Sequence, residues 1–179
     1  SDQPAEIDWR ENSRHAKAGR SSLTSGPFLQ VETEDGGLPG GLARGPGGVK
    51  LKIKVQCTDW IDIDRVQVLV NGRQEPKLNF TRTSHPKLFK DGVVKFDETI
   101  AVSLNEDAHL IVVAIGENSD LSIGYGTSSQ SKNKPVAYHN PIFVDVDGGG
   151  FKPNGDLLGW PLPVKKTSVE EVKALLDRK

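Results

Sequence analysis

An all-β fold is what this sequence predicts: an immunoglobulin-like antiparallel β-sandwich carrying a short N-terminal helix and a C-terminal amphipathic helix. Three observations point to it. The run Lys50-Leu51-Lys52-Ile53-Lys54-Val55-Gln56-Cys57 sets Leu51, Ile53, Val55 and Cys57 on one strand face and three lysines on the other. Such one-sided burial marks an antiparallel sheet with one wet face. Further short runs rich in β-branched and aromatic residues follow one another, and turn residues rather than helices separate them.

The elements come in this order. Residues 5–18 suit a short helix ended by Gly19, with an apolar face of little more than Ile7, Trp9 and alanines. Phe28 to Thr33 is a first strand, closed by Glu34-Asp35-Gly36-Gly37. The glycine- and proline-rich stretch from Leu38 to Gly48 is a surface loop. After the Lys50–Cys57 strand, Arg65 to Val70 runs into Asn71-Gly72, a hairpin signal because both turn positions tolerate positive φ. Strands are also expected over Asn79–Thr83, Val93–Leu104 and His109–Ile115. Gly124 to Lys134 is a polar loop, and Pro135 to Val146 a last strand with Pro141 marking an edge or bulge. Finally, Ser168 and Glu171 form a capping box ahead of the stripe Val169, Val172, Leu175 and Leu176. The expected organisation is a linker and short helix over 1–25, the sandwich over 26–160 and the helix over 161–179.

Composition narrows the function classes. With 179 residues, 35% of them apolar, the chain can bury one real core. A formal charge of −1 argues against a general nucleic-acid binder, since that affinity needs a net basic surface. No apolar run is long enough to span a bilayer. The chain opens on Ser1-Asp2-Gln3-Pro4 and holds no methionine, which reads as a processed product or an excised fragment. Its one cysteine, Cys57, excludes an internal disulfide framework and reads as a small buried hydrophobe.

Chemistry-bearing patterns are few. His15, His85, His109 and His139 show no short metal-ligand spacing, and neither a nucleophile elbow nor a phosphate-binding loop occurs. The remaining signal is Asp145-Val146-Asp147-Gly148-Gly149-Gly150-Phe151-Lys152-Pro153-Asn154-Gly155-Asp156. Laid on a twelve-position calcium loop, Asp145 takes position one, Asp147 three, Gly150 the sharp turn at six, Phe151 position seven through its carbonyl, and Asp156 twelve. The candidate ligands for Ca2+ are therefore Asp145, Asp147, Phe151 and Asp156. The competing expectation is a polar turn whose aspartates bond their own backbone amides.

Two stretches resemble a known family. Ala18-Gly19-Arg20-Ser21-Ser22-Leu23-Thr24-Ser25-Gly26-Pro27-Phe28-Leu29, and the strand Arg65–Val70 leading to Asn71-Gly72, resemble the C-terminal region of bacterial PHP-type metal-dependent hydrolases of the CehA/McbA group. The closing Asn140-Pro141-Ile142-Phe143-Val144-Asp145-Val146-Asp147-Gly148 is similar to the end of that region. The metal ligands of that family lie in an N-terminal barrel, and none of their motifs is in this chain. The resemblance thus implies a non-catalytic accessory sandwich that packs beside, and shapes access to, a catalytic domain of the same parent chain, with a periplasmic or extracellular location. The alternative expectation is a free-standing binding module, calcium-dependent and glycan-binding, in which Trp9, Trp60, Tyr125 and Trp160 are the aromatic candidates.

Overall fold

The computed structural model describes residues 3, 6–153, 155 and 168–176. Within them the chain is a β-sandwich of two sheets. Helix α1 (Trp9–Lys17) leads into β1 (Ser22–Thr24), β2 (Phe28–Thr33), β3 (Leu42–Arg44), β4 (Gly48–Gln56), β5 (Arg65–Val70) and β6 (Arg73–Thr81). Then come β7 (Val94–Ser103), β8 (Ala108–Ile115), the single turn α2 (Ser122–Tyr125), β9 (Val136–His139), β10 (Ile142–Asp145) and α3 (Val169–Leu176).

The small sheet runs β2-β4-β7, all antiparallel. In the large sheet β5 lies between β6 and β8, and β8 pairs along its other side with both β9 and β10. Those two are halves of one broken strand. Tyr138 stands opposite Val113 and Ile142 opposite Leu110, so four steps on one side match three on the other, the signature of a bulge. Pro141, which has no N–H to give to a ladder, sits in that break, where the sequence marks an edge or bulge. On the far side of the broken strand, β1 pairs antiparallel with β9 and β3 pairs parallel with β10.

The core follows from alternation. Leu51, Ile53 and Val55 point inward from β4, and Val66, Val68, Leu110, Val112, Ile142 and Val144 point inward from the large sheet, all fully buried. Phe96 fills the space between them, with Phe89 edge-on at 5.3 Å and Phe80 tilted at 6.3 Å. Cys57 is buried in this cluster, its Sγ 3.3 Å from the Ile61 carbonyl, and desolvation raises its pKa. It behaves as the small hydrophobe that its alternation predicts.

Several elements differ from expectation in extent. The Asn71-Gly72 turn forms, with φ of 52° and 75°, but the strand after it begins at Arg73 rather than near Asn79. Residues 73–77 are exposed on both faces, so they carry no alternation to read. The glycine-rich loop contains β3, anchored by Ala43, which is buried. Ser22–Thr24, inside the stretch read as linker, belongs to the large sheet. The first helix is present, capped by the Asp8 carboxylate on the Arg10 N–H at 2.8 Å and followed by Gly19 at φ +71°. In α3, Ser168 Oγ accepts the Glu171 N–H at 3.2 Å, as the capping box predicts. No helix among the described residues is long and apolar enough to cross a membrane.

Candidate metal centre in the acidic turn

Strand β10 delivers Asp145 to the rim of the large sheet, and the glycine run after it folds back over that carboxylate. Its two oxygens accept the Gly148 N–H at 2.6 Å and the Gly150 N–H at 3.0 Å, and the residue is 3% exposed. Gly148 and Gly150 both take positive φ, which lets consecutive amides turn inward. Asp147 Oδ1 accepts the Gly149 N–H at 2.7 Å, and Lys152 Nζ lies 3.6 Å from Oδ2. That amide, and secondarily the lysine, lowers the pKa of Asp147.

A third carboxylate arrives from a different part of the chain. Asp107, in the turn between β7 and β8, accepts the Val146 N–H and the Lys152 N–H, both at 2.8 Å. It ties the two ends of the glycine turn to the neighbouring strand connection. Asp107, Asp145 and Asp147 each bring one oxygen within 4.8 Å of the others, and this is the one such group of potential metal ligands among the described residues. Oxygens bound to one calcium at 2.3–2.6 Å stand at most about 5 Å apart, so the spacing suits a hard cation.

The structure therefore brings together two of the sequence-predicted ligands, Asp145 and Asp147, and adds Asp107. Asp107 was unreadable as a ligand because its partners lie 38 and more residues downstream; alone it is a turn residue. Phe151 packs its ring edge-on against Phe143, centroids 4.9 Å apart, clamping the end of the turn onto the sheet. Asp156 lies outside the described residues. The amide bonding of the alternative expectation is present at Asp145 and Asp147, and with Asp107 five backbone N–H groups point at three carboxylates.

His85, His109 and His139 lie on different segments. His139, 2% exposed, uses Nε2 to accept the Val112 N–H at 3.0 Å, replacing the ladder partner lost at the bulge. Since Nε2 accepts, the proton sits on Nδ1 and bonds the Asn140 carbonyl. Burial lowers the pKa of His139. His109 lies on β8 opposite Phe143, and exposed His85 shares a 2.8 Å bond with Ser84 Oγ. Of the aromatic candidates, Trp9 is exposed, Tyr125 is exposed on α2, Trp60 lies against Gly124, and Trp160 lies outside the described residues.

Comparison with protein-family models, with curated proteins and with solved structures gives no match.

Proposed function

We propose that this chain is a non-catalytic accessory module of immunoglobulin-like topology that packs against a separate domain. The sequence resemblance makes that domain the barrel of a PHP-type metal-dependent hydrolase, and the location periplasmic or extracellular. The topology is supported by the strand order: β2-β4-β7 in one sheet, β6-β5-β8-β10-β3 in the other, with the early strand β3 parallel to the last strand.

One observation carries the packing role. Helix α1 buries none of its nine residues, while Trp9 is 64% exposed and the preceding Ile7 57%. A helix this short is marginal in water unless its apolar side is covered. Among the described residues nothing buries that side, which supports an adjoining surface as its cover. The expected result with the purified chain is no hydrolysis of a simple phosphoester with manganese or zinc added. Metal-dependent turnover lost in His109→Ala or His139→Ala overturns the reading.

The convergence of Asp107, Asp145 and Asp147 favours a second reading, a calcium-dependent binding module. Asp145 and Asp147 would hold the ion with Asp107. A ligand that binds only the folded state raises its melting temperature. Under this reading Tm rises across a calcium titration relative to EDTA, and Asp147→Asn abolishes the rise. An unchanged Tm leaves the three aspartates as amide acceptors that shape the turn.

A further inference from the structure

We infer that the free edge of β2 is a docking site for an extended, acidic peptide segment, which adds to the small sheet as a fourth strand. This rests on observations independent of the packing role proposed above.

Register fixes where the backbone of β2 points. Glu34 donates its N–H to the Lys50 carbonyl at 2.9 Å, and the pairing of β2 with β4 continues in the same register to Phe28 opposite Gln56. Alternation in an antiparallel pair then turns the N–H and C=O of Phe28, Gln30 and Glu32 toward β4, and those of Leu29, Val31 and Thr33 away from it. Thr33 confirms the direction: its outward N–H bonds the Gly37 carbonyl at 2.8 Å. The outward groups of Leu29 and Val31 have no hydrogen-bond partner among the described residues. An unpaired row of this kind matches one thing chemically, another extended backbone.

The edge strand also carries no blocking residue of its own. The opposite type of edge in this molecule, β6, carries Pro76 and Lys77, both exposed, and an irregular register against β5. Those are devices that block strand addition. Phe28-Leu29-Gln30-Val31-Glu32-Thr33 has none of them: no proline, no lysine and no bulge against β4. A groove of about 580 Å³ runs beside it, with Leu29 and Val31 on one wall and His15, Arg20, Leu38 and Pro39 among the other lining residues. Phe28, 57% exposed, offers an apolar contact at one end.

Charge selects the occupant. Lys52 is paired with Glu32 at 3.2 Å and Lys54 with Asp97 at 3.8 Å, so these groove charges are matched. Arg20 has no ion pair among the described residues, which leaves one cation beside the open edge for a carboxylate of the incoming segment.

The test uses the full, 15N-labelled chain and a soluble ten-residue peptide of alternating valine and threonine with two glutamates at one end. The expected result is saturable shifts of the Leu29 and Val31 amides, slower hydrogen exchange at both, and at least fivefold weaker binding in Arg20→Glu. The same peptide with lysines in place of the glutamates should bind at least fivefold more weakly to the unaltered chain. Val31→Pro removes one outward donor and should abolish binding; Arg20→Glu keeps the test decisive if that variant fails to fold. Absent shifts at Leu29 and Val31 with millimolar peptide, or equal binding by Arg20→Glu, overturn the proposal. So does a concentration-dependent dimer that protects these two amides without peptide, which would make a second copy the occupant.

Discussion

At the scale of single residues, the side chains that look chemical in the sequence mostly complete the backbone. Asp64, 7% exposed, accepts the Glu117 N–H at 2.7 Å and the Asn118 N–H at 3.0 Å, closing the turn after β8. His139 does the same for Val112 at the bulge. The consequence for pH can be worked out. Burial holds the folded-state pKa of His139 below its ordinary value, so on acidification the unfolded chain takes up this proton first. The stabilisation is complete above about pH 6.5 and is lost as pH falls from there through the folded pKa. Thermal unfolding should therefore show a Tm drop between pH 7.5 and 5 that shrinks in His139→Gln, whose amide oxygen can still accept from Val112. An equal drop in both proteins would assign the acid sensitivity elsewhere. Of the candidate site, Asp145 and Asp147 were legible because they are two apart in one turn. Asp107 was not, since only the pairing of β8 with β10 brings it beside them.

At the scale of elements, legibility tracked one-sided burial. Strand β4 was read nearly to its ends because inward Leu51, Ile53 and Val55 alternate with wet lysines. The first half of β6 is wet on both sides, and β3 is held by pairing with β10 rather than by its own pattern, so neither left a periodic trace. The last strand was legible as a strand with a flaw at Pro141, yet only the register reveals that one ladder is served by two segments. Glycine placement joins these elements to the N-terminal helix. A Cβ at Gly40 would lie 2.2 Å from the Ala18 carbonyl oxygen, and its φ of +78° is itself unfavourable for other residues. Gly40→Ala must therefore separate the end of α1 from the loop ahead of β3. The expected outcome is faster tryptic cleavage after Lys17 and Arg20, with a loss of about 1–3 kcal/mol in stability from backbone strain. Unchanged cleavage would mean that this close approach does not hold α1 in place.

At the scale of the whole molecule, aromatic residues divide between those that build the sandwich and those it presents outward, and the two groups should separate in experiment. Phe96 is fully buried where the two sheets meet and touches both Phe80 and Phe89, so removing its ring leaves a cavity that strands on either side cannot close. Phe96→Ala should lower stability by about 3–5 kcal/mol, a large part of what a domain of this size holds. Trp9 stands at the other extreme, exposed, with the neighbouring Arg10 guanidinium 4.6 Å from its ring centroid. Trp9→Ala should leave the unfolding free energy of the module within about 0.5 kcal/mol. If α1 is the seat of an adjoining domain, the same substitution weakens association with that domain severalfold, as an aromatic anchor at an interface does. Urea unfolding of both variants measures the first contrast, and co-purification with a separately expressed PHP-type barrel domain, the proposed partner, measures the second. Loss of stability in Trp9→Ala comparable to Phe96→Ala would place Trp9 in the module's own core and remove the observation on which the accessory role rests.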